Sequence, residues 1–373
     1  MKYSIFSFFS GAGFLDLGFE LNGYDIVFVN EFNKSFLNVY KHSRKVLQLK
    51  QPQFGYHEGS IECLLKNEKD FLSKLVAQKK IEQDIVGFIG GPPCPDFSVG
   101  GKNRGIEGEN GKLSNTYIEL ICQEKPSFFL FENVKGLWKT KKHRLFYDDM
   151  KKKLHKNGYV TTERLINSLE YGVPQHRERI ILIGFHEDLL TKLSYKLDEN
   201  LPDIPSDMFP WEKYTKYTKE EILLSSFPTT NDFNEESSYP CPNGVLKDLT
   251  VEYWFQQNDV SNHPNAEQYF VPRQGLMKFK SIEEGDDSKK SYKRLHRWRY
   301  SPTAAYGNNE VHLHPYKARR LSVAEALAIQ SLPKTFELPT DISLTDAFRT
   351  VGNGVPYLAS KGIAATIKHF LEQ

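Results

Sequence analysis

The alternation that runs through the first half of this chain constrains its fold more than any other feature. Short apolar runs at Tyr3–Phe9, Asp25–Val29, Asp84–Ile89, Ser127–Phe131 and Arg179–Phe185 are separated by segments of helical periodicity. Continuous apolar runs of this length, rich in β-branched and aromatic residues, are strands covered on both faces. Interleaved with helices, they predict an α/β fold with a mostly parallel, doubly wound sheet. Polar or Gly-rich residues close these runs: Ser10-Gly11, Asn30-Glu31, Gly90–Pro93 and Glu132-Asn133. Ligands of open α/β sheets bind at that carboxyl edge, so function is expected there.

Past about Asp188 the alternation stops. Residues 188–315 hold most of the prolines and long stretches without periodicity, which predicts a smaller, loop-rich second domain. Regular structure returns at Arg320. Ser322 with Glu325 three residues on is a capping box, and Leu358–Phe370 has the pattern of an amphipathic terminal helix. The expected division is a catalytic and cofactor-binding domain of residues 1–187 plus 316–373, with the second domain at 188–315.

Composition narrows the function classes. With 49 basic and 47 acidic residues the net charge is +2, which excludes a polycation but allows a local basic surface. No apolar run approaches the ~20 residues of a membrane span. Cys63, Cys94, Cys122 and Cys241 are scattered without a C-x-x-C pair, which argues against a disulfide framework and a zinc site. No metal is expected. Ile5–Phe9 followed by small residues faintly imitates a signal peptide. The stretch is too short, and Asp16 and Glu20 continue an amphipathic pattern, so a cytoplasmic protein is expected.

Several strand-end segments carry chemistry. Phe9-Ser10-Gly11-Ala12-Gly13 is a Gly-rich turn between strand and helix; alone it fits a structural turn as well as a nucleoside site. Asp16 stands where a nicotinamide G-x-G-x-x-G fingerprint wants its third glycine, which argues against that cofactor. Gly90–Ser98 sets Cys94 between prolines on a stiff loop. The two local readings are a nucleophile, reactive as its thiolate, and a small buried hydrophobe. Phe131-Glu132-Asn133-Val134 and Gly172–Arg179 follow. Arg177 and Arg179 share one side of a strand, either to grip a planar heterocycle or as a surface ion pair.

In this order, with Val351–Pro356 and the Arg320–Gln330 helix, these segments resemble the DNA (cytosine-5) methyltransferase family over roughly residues 3–185 and 318–370. The resemblance implies a methyltransferase version of the doubly wound fold and S-adenosyl-L-methionine as cofactor. It places that cofactor on Phe9, Ser10, Gly11, Ala12, Gly13, Phe14 and Leu15, with Glu31 at the ribose and Phe9 and Phe32 at the adenine. Ser60, Ile61 and Pro92 complete the site, and Asn353 and Val355 close it from the C-terminal side. It makes Cys94 the nucleophile toward cytosine C6, sets Glu132 at N3 and Arg179 at O2, and leaves Arg177 to orient Glu132 or the backbone. Double-stranded DNA is the implied partner, with the cytosine flipped out of the helix. Ser98, Lys102 and Arg104 follow the nucleophile on a loop suited to DNA contact. In the recognition domain Lys289–Tyr300 interleaves cations with aromatics: phosphate contact is expected toward Lys293 and Arg294, while Arg297 and Arg299 fit either phosphate or base. Ser301–Ala305 resembles the end of the family's recognition domain.

The chain departs from the family at Pro95-Asp96, where a glutamine is common, and at Gly59-Ser60-Ile61, where many members have an acidic residue. Neither departure removes a reacting group. The compact length suggests a monomeric prokaryotic modification enzyme acting at the nucleoid, of the kind that pairs with a restriction endonuclease. Two alternatives stand beside it. A tRNA cytosine methyltransferase shares the catalytic motifs but carries a Cys-Phe-Thr element, where this chain has Cys241-Pro242-Asn243. A non-catalytic binding paralogue would have lost the nucleophile, which is present.

Overall fold

The computed structural model describes residues 2–93, 109–195, 202–205, 207–272, 276–289, 291–304, 306 and 310–373. Its frame is a seven-stranded sheet: β1 (Tyr3–Phe8), β2 (Asp25–Glu31), β3 (Tyr56–Glu58), β4 (Ile85–Gly90), β5 (Phe128–Val134), β6 (Tyr159–Asn167) and β7 (Glu178–His186). The order is β3-β2-β1-β4-β5-β7-β6. Strands from β3 to β5 pair in parallel, whereas β7 runs antiparallel to both neighbours. The five expected strands are all present. The sequence reading missed β3, which is three residues long and partly exposed, and β6, an edge strand with polar residues at five of its nine positions.

Period-2 alternation of side chains sorts the strands into two cores. Phe6, Phe8, Phe28, Phe88, Phe129 and Phe131 point to one face and meet Tyr117, Ile121, Tyr147 and Leu154 of the helices Glu109–Glu124 and Lys141–Lys156. Each such ring, buried rather than exposed, contributes about 1.5–3 kcal/mol. Ile5, Ile26, Leu130 and Ile183 face the other way, onto Phe19 and onto Ile363, Ile367 and Phe370 of the terminal helix Tyr357–Leu371. That helix lies against the helix Phe14–Glu20: Ser360 Oγ donates to the Leu15 carbonyl, and Tyr24 Oη to that of Ala364 at 3.0 Å. The C-terminal end of the chain thus sits beside the first loop.

The expected capping box at Ser322 is formed. Ser322 Oγ accepts from Glu325 N–H, and Glu325 accepts from Ser322 N–H at 2.7 Å. The helix it begins, Val323–Ile329, shares a third core with Phe14, Leu17, Phe348, Val251, Phe255 and Ala304. This core ties the middle of the chain to the helix that follows β1.

The second region stands apart from the sheet later than residue 188. Pro202 and Ile204 bond to Thr161 on β6, and Ile204, Phe209 and Trp211 lie in the same core as Phe185 and Phe370. Between 212 and 316 the described residues form short helices (Lys219–Leu224, Val251–Gln257, Leu276–Lys280) and isolated bridges. Among the described residues no helix is long and apolar enough to cross a membrane.

Candidate active site

A cavity of about 760 Å³ opens at the carboxyl ends of β1, β2, β4 and β5. Its size is that of a small-molecule or cofactor site. Of the residues expected to hold a cofactor, Phe9, Ser10, Gly11, Ala12, Phe14, Leu15, Glu31, Phe32, Ser60, Ile61, Pro92, Asn353 and Val355 all line it. The turn after β1 is built around Glu31. Gly11 N–H donates to Glu31 Oε2 at 2.8 Å, and Asn33 N–H to Oε1 at 2.7 Å. Burial raises the Glu31 pKa, and these backbone donors pull it back. Phe9 adopts φ +52°, a left-handed conformation unfavourable for a bulky residue by roughly 1–3 kcal/mol. Phe32 is 76% exposed at the rim. Ser60 Oγ caps the helix Ile61–Lys66 by accepting from Glu62 N–H at 3.2 Å.

Gly13, also expected at the cofactor, is not among the cavity-lining residues; a Cβ on its left-handed backbone (φ +76°) would lie 2.5 Å from Arg44 and Tyr40. Arg44 is fully buried and donates to the carbonyls of Gly13 (2.7 Å) and Ala12 (3.3 Å) and to Glu20 (2.8 Å). Tyr40 Oη and Ser7 Oγ each donate to Asp16 at 2.8 Å. Burial pushes the Asp16 pKa up to about 6, opposed by Arg44. The glycine is required by a buried charge cluster that holds the turn from behind.

The other end of the cavity is set by the β5–β7 pairing. Because β7 runs antiparallel, its first residues lie beside the end of β5, with Val134 opposite Arg179. Arg179 Nε is 2.9 Å from Glu132 Oε1, both largely buried. A Cβ on Gly91 would come 2.7 Å from Glu132 Oε2, so the glycine lets the loop after β4 pass the carboxylate. Arg177 takes the backbone role of its two expected roles: Nη1 donates to the carbonyls of Gly352 (3.0 Å) and Ala304 (3.4 Å). Glu132 is held by Arg179 instead. Complete burial draws the Arg177 pKa well below the usual guanidinium range, and its Nε has no hydrogen-bond partner among the described residues. Gln175 joins this frame, donating to Gln330 at 3.1 Å and accepting from Ala304 N–H at 3.1 Å.

Cys94, Ser98, Lys102 and Arg104 lie outside the described residues; the loop that leads to them, Gly91–Pro93, lines the cavity. Two expected DNA contacts are corrected. Arg294 is buried and spends its donors on the carbonyls of Ile282 (2.9 Å), Lys317 (3.1 Å), Phe279 and His314. Arg297 is buried against Glu284 at 2.8 Å and also donates to Ser237 Oγ at 2.9 Å. Both are interior braces, so neither meets DNA from the surface. Lys293 and Arg299 remain partly exposed. The sequence reading also missed Asp16, Asn30, Lys112, Thr303 and Thr350 as lining residues. Asn30 and Thr303 sit inside segments it singled out; Lys112, on a helix, carries no such signal.

A family model described as C-5 cytosine-specific DNA methylase matches residues 3–369. The chain is 56% identical to the Type II methyltransferase M.NmeDI of Neisseria meningitidis serogroup C, covering 100% of this chain and 84% of that protein. It is 30% identical to the Type II methyltransferase M.FnuDI of Fusobacterium nucleatum, covering 98% and 94%. Among solved structures, a prophage-encoded protein from E. coli is similar in fold, with a TM-score of 0.66 at 20% identity and full coverage of both chains.

Proposed function

Because this chain belongs to the C-5 cytosine-specific DNA methylase family, and is a DNA (cytosine-5) methyltransferase of Type II restriction–modification kind, we propose that it takes its methyl group from S-adenosylmethionine and works through a Cys94 adduct on a flipped cytosine. The observation that carries this reading is one cavity with two differently built ends. At one end a glycine turn is clamped to a carboxylate, Gly11 on Glu31; at the other, an ion pair joins Glu132 to Arg179.

The residues present fit the cofactor. Gly11 has φ +55° and open space where a Cβ would stand, so a ligand can approach the turn closely. Glu31 would accept from two ribose hydroxyls, with Phe9 and Phe32 as apolar walls for an adenine and Ser60 and Ile61 beside them. Asn353 and Val355 close this end. When bound, S-adenosylmethionine supplies an electrophilic methyl group on a sulfonium.

The chain's own residues supply the rest. Cytosine C5 is a weak nucleophile, so the Cys94 thiolate adds to C6 and turns the ring into an enamine. Charge then develops on N3 and O2. Glu132 holds a proton at N3, and Arg179, whose Nε fixes Glu132 and whose Nη1 donates to the Glu178 carbonyl at 2.8 Å, directs Nη2 to O2. Arg177 keeps the strand bearing Arg179 against the Gly352 and Ala304 backbone. C5 accepts the methyl group, water takes the C5 proton, and elimination frees Cys94. The thiolate must approach C6 from the face of the ring, which stacking covers within a duplex, so the cytosine must leave the stack.

Target choice belongs to the middle of the chain, residues 188–315, whose sheet-distal part begins after Trp211. Lys293 and Arg299, with Ser98, Lys102 and Arg104, supply phosphate contacts that position the duplex. A cognate endonuclease, monomeric action and a place at the nucleoid complete the proposal.

The test is direct. Purified enzyme with methyl-labelled S-adenosylmethionine is offered duplex DNA and tRNA, and DNA from expressing cells is sequenced after bisulfite treatment. The expected result is label in duplex only, and protected cytosines confined to one short sequence. Label in tRNA instead would support the RNA alternative, and no label in either would remove the enzymatic reading.

A further inference from the structure

The cavity rim near Thr303 carries a row of rings that the roles above leave unused. His176 is exposed between Gln175 and Arg177. Its N–H donates to the Ser301 carbonyl at 2.8 Å, and its own carbonyl accepts from Thr303 Oγ1 at 2.8 Å. Its ring lies against Tyr300, with centres 6.1 Å apart and planes at 32°. Tyr300 meets Phe227 edge-on at 5.0 Å and 80°, and the Arg299 guanidinium lies 5.5 Å from the Tyr300 ring centre. Arg177 and Thr303 both line the cavity, so the row starts at its lip and runs outward.

This arrangement differs from core packing in two ways. Phe227 and Tyr300 keep part of their surface in solvent, where apolar ring area is unfavourable. The backbone beneath His176 is fixed on both sides, yet among the described residues no hydrogen bond engages its ring nitrogens or the Tyr300 hydroxyl. Rings held this way offer flat faces at a rigid lip. Bases stack on such faces without regard to sequence. Extrusion of a base leaves its neighbours without a stacking partner and bends their backbone toward the site.

Resting on the cytosine methylation proposed above, we infer that His176, Tyr300 and Phe227 form a contact wall for the target strand of duplex DNA beside the cytosine that enters the cavity. The ring faces take nucleotide surface, and Arg299 meets a neighbouring phosphate. The wall is continuous with the catalytic cavity, and Arg299, partly exposed and 3.6 Å from Asp287 Oδ2, carries charge complementary to DNA.

The experiment measures equilibrium binding of the full-length enzyme to a duplex carrying its methylation site, and separately to S-adenosylmethionine, for His176→Ala, Tyr300→Ala and Tyr300→Phe. Each alanine variant is expected to raise Kd for the duplex roughly tenfold, with cofactor affinity and Tm unchanged. Tyr300→Phe, which keeps the ring, is expected to bind like wild type. His176→Ala carries the test if Tyr300→Ala is unstable, because His176 is exposed. If both alanine variants bind the duplex with wild-type affinity, or lose cofactor affinity in equal measure, the wall is overturned while methyl transfer stands. A wild-type enzyme that fails to methylate duplex cytosine overturns the reading beneath it.

Discussion

Cys94→Ser abolishes methyl transfer, to below a few per cent of the wild-type rate, and leaves the affinity for S-adenosylmethionine and duplex DNA near wild type. The substitution changes little volume and keeps a hydrogen-bonding group. What it removes is the thiolate: a free cysteine ionises near pH 8.5, whereas a serine hydroxyl stays protonated at any pH the fold survives. The loop bearing Cys94 leaves β4 through Gly91–Pro93, which line the cavity within reach of Glu132. Incorporation of labelled methyl groups, read beside equilibrium binding of both ligands, separates the two effects. Residual turnover well above that level would move the nucleophile to another residue.

Glu132→Gln is expected to slow the chemical step by about 10²–10⁴-fold, the usual range for a positioned general acid or base. The amide has nearly the same shape but cannot exchange a proton with N3. It also turns the contact with Arg179 Nε, at 2.9 Å, from an ion pair into a hydrogen bond between a guanidinium and an uncharged amide. The guanidinium that should face O2 is then held less firmly, so both charge-stabilising groups suffer. The single-turnover rate at saturating DNA and cofactor is the quantity to measure. A rate within a few-fold of wild type would exclude Glu132 from the proton transfer, and a change confined to KM would make it a binding residue.

The sequence revealed those parts of the fold that depend on continuous apolar runs. β1, β2, β4, β5 and β7 are buried along nearly their whole length, so their composition alone marks them. β6 was hidden because it lies at the edge of the sheet, where Thr162, Glu163 and Arg164 suit solvent as well as a ladder. The antiparallel course of β7 is equally invisible in its residues. It follows from the short connection through Ser168–Tyr171, which turns the chain straight back along β6. That reversal is what brings Arg179 alongside Glu132.

In the site, residues whose reason is local were legible and those whose reason is remote were not. Gly11 is a glycine because its turn has φ +55° at the cavity wall, and the Gly-rich turn after a strand marks it in the sequence. Gly13 looks the same in sequence, but its reason is Arg44, a guanidinium that lies 31 residues along the chain. Arg294 and Arg297 sit in a stretch of cations and rings that resembles a DNA-facing surface. Their partners decide otherwise: Glu284 for Arg297, and for Arg294 four carbonyls from two segments, Phe279 with Ile282 and His314 with Lys317. Composition records a charge but not whether the fold neutralises it. The same limit explains His176, which passed as one letter of a motif until Tyr300 was brought against it.

The central claim is a covalent bond between Cys94 and cytosine C6 that is released only after the C5 proton leaves. A duplex with 5-fluorocytosine at the target position tests it. Thiolate addition and methyl transfer to C5 proceed, but elimination would have to expel fluorine as a cation, so the enzyme stays attached. The account predicts a denaturant-resistant protein–DNA complex that requires S-adenosylmethionine, maps to Cys94 by peptide analysis and does not form with Cys94→Ser. No adduct, on a duplex whose unmodified form is readily methylated, would contradict it.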